Sequence, residues 1–209
     1  MGITVDVKNF TVSIPESKLN DILTTCDDVS KQKSITKKDL QSLLVKLLYI
    51  SRIIRPARAF LNRMLDTLQN MHDRARVQVS GGFKEDLDWF RAFARNFHGC
   101  STFSIWGSEI HETVFIDASL HGLGVVRGTK FYPTALPPYI LSENRIAVYE
   151  MINILVSLNE WGHDWVDKHV LLYCDNRAVV DIMNRHKTRV NGLGKILNDI
   201  LYVIAKFNV

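Results

Sequence analysis

The sequence predicts an α/β fold: a mixed sheet flanked by helices, preceded by a mostly helical module. Three observations predict it. Between residues 36 and 71, apolar side chains recur at helical spacing in two successive stretches. Beyond residue 100 the pattern changes to short runs rich in Val, Ile, Phe and Tyr, separated by glycine-containing turns. The order that results is β, β, β, α, β, α, α, which suits a mixed sheet covered by helices.

Taken from the N-terminus, "MGITVDVKNFTVSI" alternates on both sides of a turn-like "KNF" and predicts a hairpin. Pro15 opens a short helix, and "CDDVSKQKS" follows as a polar loop. Thr36 and Asp39 have the spacing of a capping box. Behind them Leu40, Leu43, Leu44, Leu47, Leu48 and Ile54 line one helix face. "RPAR" at 55–58 breaks this helix and seeds the next, with Pro56 in the first turn. "VSGG" at 79–82 predicts a linker, and "FKEDLDWFRAFARNF" a third helix. Strands are expected at "STFSIW" (101–106), "ETVFIDA" (112–118) and "VVRGTKFYP", with "HGLG" as a turn. A long helix is expected from about Ser142 to Trp161, then a buried strand, "HVLLYC", and two closing helices.

Composition removes several classes of function. The chain of 209 residues is 46% hydrophobic and 23% charged, ordinary values for a domain with a real core. No apolar run approaches the roughly 18 residues of a membrane span, and the N-terminus lacks signal-peptide features. Asp6 stands where a myristoylation motif wants Ser or Thr. Cys26, Cys100 and Cys174 are far apart, which argues against structural zinc and a disulfide framework. An intracellular protein, cytoplasmic or nuclear and without membrane partners, is expected. The net charge of +4 is unevenly distributed: Lys31 to Arg76 holds eleven basic residues against three acidic ones, whereas residues 101–209 hold ten against eleven. A basic stretch of this kind is either a solvated helix face or a surface for a polyanion.

Three carboxylates fall at informative places. Asp117 ends the strand "VFID", Glu150 lies within "AVYEMINIL" on the long helix, and Asp175 closes the strand "VLLYC". Each has an ordinary explanation: Asp117 as a turn former, Glu150 as a helix-surface acid, Asp175 as a helix cap. Glu150 fits its explanation worst, because its neighbours Val148, Met151, Ile152 and Ile154 are apolar and a buried carboxylate needs a partner. Jointly the three suit another role. Two-metal phosphodiester hydrolysis needs carboxylates converging on two divalent ions roughly 4 Å apart, and carboxylate oxygen is a natural ligand for Mg²⁺.

"FIDASLHGLGVV" and "ENRIAVYEMINILVSLNEWGHDWVDKHVLLYCDNRAVVDIMN" resemble the ribonuclease H domain of retroelement reverse transcriptases, nearest to the DIRS-like and related retrotransposon group. Glu150 stands eleven positions before Trp161-Gly162, as in the family pattern. Upstream, "GITVDVKNFTVSIPESKL" looks like the end of a polymerase palm, and "LQSLLVKLLYISRIIRPARAFLNRMLDTL" like thumb and connection helices, with Val45 where the family usually has Gly. The resemblance implies an α/β, ribonuclease H-like mixed sheet flanked by helices over 81–209, preceded by a mostly helical palm-end and thumb/connection module over 1–80. It implies Asp117, Glu150 and Asp175 as ligands of two Mg²⁺ ions, with Mn²⁺ as a substitute. The implied reaction is cleavage of RNA in RNA–DNA hybrids, and the implied partners are the palm and fingers of a parent polyprotein. The family's fourth acid falls beyond Val209, and Asp199 is the nearest later carboxylate, at the wrong point in the order. No polymerase aspartates are recognisable, which argues against DNA synthesis by this chain.

In a thumb-like element, Arg52, Arg55, Arg58 and Arg63, with Lys37, Lys38 and Lys46 nearby, would grip a phosphate backbone in a salt-sensitive manner. Trp161 and Trp165 are expected in the core and His121 in a turn. Two alternatives remain open at this stage. One is a catalytically incomplete nucleic-acid-binding remnant. The other is an integrase or transposase of the same fold, for which aspartates 58 positions apart are also acceptable. An actin-like phosphate loop would want Gly where Ser119 stands.

Overall fold

The computed structural model describes residues 2–8, 11–53, 55–97, 100–102, 109–135, 146–188, 190 and 192–209. The chain forms two compact units, Met1–Ile105 and Trp106–Val209.

In the first unit the order is β1 (Thr4–Asp6), β2 (Thr11–Ser13), α1 (Glu16–Ser30), β3 (Ser34–Thr36), α2 (Lys37–Ser51), a 3-10 helix (Arg55–Leu61), α3 (Asn62–Asn70), β4 (Arg76–Gln78), α4 (Gly81–Phe97) and β5 (Cys100–Thr102). The N-terminal hairpin and the capping box form as expected: the Thr36 side chain accepts from the Asp39 N–H while the Asp39 carboxylate accepts from the Thr36 N–H. Val45 lies on the outside of α2, exposed to solvent and away from the core.

The first unit departs from the sequence reading at several points. Helix α1 runs on to Ser30, through the first half of the expected loop "CDDVSKQKS", and α4 already begins at Gly81, inside the expected linker "VSGG". Helix α4, expected to lead the second domain from residue 81, packs on α1, α3 and the 3-10 helix within the first unit. Its buried side, Leu87, Phe90, Phe93 and Ala94, is held there, with Phe93 against Phe60 at 5.3 Å between ring centres. The strand expected at 101–106 appears as β5, which extends the hairpin through β2; residues 103–106 lie outside the described residues. Strands β3 and β4 pair antiparallel and were not foreseen, because three residues are too few to establish an alternation.

The second unit comprises β6 (Glu112–Ala118), β7 (Gly122–Arg127), β8 (Lys130–Ala135), α5 (Ile146–Trp161), a 3-10 turn (Gly162–Trp165), β9 (Val170–Tyr173), α6 (Arg177–Arg185) and α7 (Leu193–Phe207). The sheet order is β8-β7-β6-β9. The first three strands are antiparallel neighbours and β9 runs parallel to β6. "VVRGTKFYP" is therefore two strands, turned at Gly128 with φ of +56°. A parallel neighbour needs a crossover, and α5 supplies it. The helix lies on β6 and β7 and is itself covered by α7, which explains its apolar residues on several sides. The start of the helix expected near Ser142 lies outside the described residues, and the first half of "PTALPP", expected as a loop, is the end of β8. Among the described residues no helix is long and apolar enough to cross a membrane.

Candidate carboxylate site

Two carboxylates mark the two ends of β6. At its start, Glu112 receives both oxygens' worth of bonds from Arg127, at 2.6 and 2.8 Å, and one from Trp165 Nε1 at 3.0 Å. Lys168 adds a fourth donor at 3.4 Å, and Arg127 also bonds Asp164. These partners, the Arg127 bonds foremost, hold the Glu112 carboxyl down at about 2. The Arg127 guanidinium lies 5.7 and 5.6 Å from the ring centres of Trp161 and Trp165, so both tryptophans are structural.

At the far end of β6 the register brings the predicted acids together. Pairing with β9 joins Glu112 to Val170 and Phe115 to Tyr173, a constant offset of 58 residues. Asp117 and Asp175 share that offset. Each stands two residues past the last paired couple, Asp117 still within β6 and Asp175 in the bend that follows β9. Stacking of the Phe115 and Tyr173 rings, 5.0 Å apart and 11° from parallel, carries the alignment up to that level.

Local structure leaves neither aspartate its ordinary task. The β6–β7 turn is held by Ser119, whose Oγ accepts from the N–H groups of His121 and Gly122. The N-cap of α6 is Asn176, whose Oδ1 accepts from the N–H groups of Ala178 and Val179. Both aspartates are exposed.

Glu150 is fully buried. Its Oε1 accepts the Ala118 N–H at 2.9 Å, and the Cys174 thiol lies 3.8 Å from its Oε2. Burial pushes its carboxyl above the usual range, and the negative charges of Asp175 and Asp117 push the same way, against the Ala118 N–H and the Cys174 thiol. One carboxylate oxygen each from Glu150 and Asp175, together with Cys174 Sγ, lie within 4.8 Å of one another. Asp117 is outside that tightest group, but it is near enough to act on Glu150 through its charge. Burial likewise raises the Cys174 thiol, to about 11.

Beside these acids a groove of about 580 Å³ runs over the open face of the sheet, lined by Phe115, Asp117, His121, Val126 and Phe131 among others. Asp199 lies on α7, half-buried, and belongs to no acidic group of this kind among the described residues.

Two members of the site were not singled out from the sequence. Cys174 alternates with exposed Tyr173 and so turns inward, a signal legible in the strand pattern. Asn153, one turn after Glu150 on α5, is fully buried, and its Nδ2 donates to the carbonyls of Asp117 and Gly124, both at 2.9 Å. No sequence signal marks it, because such a latch exists only once helix and hairpin have met.

The basic residues fare unevenly. Lys37 pairs with Asp73 at 2.8 Å, Lys46 with Asp21 at 3.2 Å, and Arg63 with Asp86 at 3.2 Å. Arg52, Arg58 and Lys38 are exposed, with no ion pair seen among the described residues. The Arg55 side chain lies outside the described residues.

No protein-family model matches this chain, and no curated protein matches it. Among solved structures, it is similar to a foamy viral protease-reverse transcriptase dRH in complex with double-stranded DNA, with a TM-score of 0.38 and 9% identity. The match covers 95% of this chain and 34% of that one, so the chain spans about a third of that protein's length.

Proposed function

We propose that the second unit is a ribonuclease H-like nuclease domain that hydrolyses the RNA strand of RNA–DNA hybrids, as part of a retroelement reverse transcriptase. Asp117, Glu150 and Asp175 would hold two Mg²⁺ ions, or Mn²⁺ in their place. One observation carries this reading: a fully buried glutamate whose charged neighbours are two aspartates, one near the end of β6 and one just past the end of β9.

The donor set fits the ions. Carboxylate oxygens are the ligands Mg²⁺ prefers, and a cation would offset both the burial and the negative neighbours that raise the Glu150 carboxyl. When bound, such ions supply a water of lowered pKa and stabilise the departing oxygen. The chain's own contribution is geometric. The Ala118 N–H fixes the orientation of the Glu150 carboxylate, and the β6–β9 pairing brings the segments that bear the two aspartates side by side. Exposure of Asp117 and Asp175 leaves their oxygens reachable by a phosphate in the adjoining groove. Arg52, Arg58 and Lys38 are the basic side chains best placed to meet a phosphate backbone. Lys37, Lys46 and Arg63, already ion-paired, would have to exchange partners to do so.

Purified protein with Mg²⁺ should cut a labelled RNA–DNA hybrid. Asp117→Asn and Asp175→Asn should each slow cleavage by more than about a hundredfold, since even groups that only orient metal ligands cost 10–100-fold. Undiminished cleavage by Asp117→Asn would refute the assignment. Hybrid binding with a steep salt slope but no cleavage would instead indicate a binding remnant.

A further inference from the structure

The peptide group joining Asp117 to Ala118 is gripped at both ends by one face of α5. Its N–H donates to Glu150 Oε1 and its carbonyl accepts from Asn153 Nδ2, each at 2.9 Å. Glu150 and Asn153 are three residues apart on that helix, so their side chains emerge side by side. The carbonyl and N–H of a trans peptide point in opposite directions, so two such bonds fix the orientation of the whole plane. That plane carries the Cα of Asp117, and with it the direction in which its carboxylate leaves the strand.

The second Nδ2 bond ties the same amide to the carbonyl of Gly124, the residue paired with Asp117 across the β6–β7 ladder. One buried side chain therefore joins the helix that bears Glu150 to both strands of the hairpin that bears Asp117. Its Oδ1 finds no donor among the described residues. A buried unsatisfied acceptor costs stability. Asparagine is thus a poor choice for packing alone, and its value lies in the two donors.

We propose that Asn153 is the positioning residue of the carboxylate site, setting the distance and angle between the carboxylates of Asp117 and Glu150. The role presupposes the divalent-cation site proposed for those acids. Removal of the Asn153 amide should leave each acid in the chain but relax their mutual geometry, and so weaken metal affinity before anything else.

The test is Mn²⁺ binding, followed by electron paramagnetic resonance of the free ion. Wild type, Asn153→Leu, Asn153→Ser and Asp117→Asn are compared at a temperature where circular dichroism shows each folded. Folded Asn153→Leu should bind Mn²⁺ about 10- to 100-fold more weakly than wild type. In a cleavage assay its KM for hybrid should hold while kcat falls, and excess Mn²⁺ should restore kcat, which a defect of packing alone would not allow. Wild-type affinity in folded Asn153→Leu overturns the positioning role and leaves the cation site standing. No Mn²⁺ binding by wild type, or equal binding by Asp117→Asn, removes the cation site and this role with it. If Asn153→Leu does not fold, Asn153→Ser, too short to span both carbonyls, decides by the same criterion. Failure of both to fold assigns Asn153 to folding and overturns the proposal.

Discussion

The two ends of β6 carry carboxylates with opposite surroundings. Glu112 is met by a guanidinium, an ammonium and an indole N–H, and its carboxyl is lowered to about 2. Glu150 is buried under two aspartates, with a backbone N–H and a thiol as its donors, and its carboxyl is raised. A fold that keeps an acid for stability surrounds it with cations, as at the first end. At the second end no cation among the described residues supplies that compensation, and a cation from solution is the simplest way to supply it.

That contrast can be broken by removing the cation. Arg127→Ala should bring the Glu112 end closer to the other, a half-buried acid beside Asp164 with Lys168, at 3.4 Å, as its remaining cation. Losing one partner of a buried pair costs about 3–5 kcal/mol, and this partly buried one should fall at the lower end of that range, measurable by urea unfolding. The pH dependence should follow the same division. Because the folded Glu112 carboxyl is lowered from 4.5 to about 2, its contribution is present above the unfolded value and is lost as pH falls towards 2. It amounts to about 3 kcal/mol, and Glu112→Gln should abolish it. Glu150 has the opposite sign: its raised carboxyl favours the fold at low pH, and the benefit disappears as pH rises through the shifted value. Without divalent ions, Glu150→Gln should therefore gain stability relative to wild type as pH rises.

Asp86, in the first unit, sharpens the rule. It is buried and has one cation, Arg63 Nε at 3.2 Å, without hydrogen-bond geometry to the nearer oxygen. Burial wins, and its carboxyl rises to about 6. Its stabilising contribution is present at acidic pH and fades as pH rises through about 6. Asp86→Asn should flatten that decline, worth on the order of 2–3 kcal/mol, in melts compared across that range. A cation near a buried acid thus compensates only when it is properly bonded. The smallest effect concerns the cap. Asn176→Ala should cost about 1 kcal/mol, and a negligible loss would mean that Asp175 can take over the capping bonds.

Much of this was legible in the sequence for identifiable reasons. The α2 helix was readable because its capping box and leucine stripe lie within one segment. The three acids were readable because each sits at an element end or on an apolar helix, where a charge stands out. What failed depends on contacts between distant segments. Helix α4 has the same amphipathic pattern whichever unit it covers, and β5 pairs with a strand almost ninety residues earlier. The same limit hid Asn153, which looks like any polar residue on α5 until the hairpin is laid against it. Lys37, Lys46 and Arg63 look available to a polyanion in the sequence, yet each already has an acidic partner in the fold.

The most direct test of the account is a calorimetric titration of Mg²⁺ into wild type and Glu150→Gln near neutral pH, with both shown to be folded. Wild type should bind Mg²⁺, and Glu150→Gln should lose most of that affinity. Equal Mg²⁺ affinity in the two proteins would contradict the account.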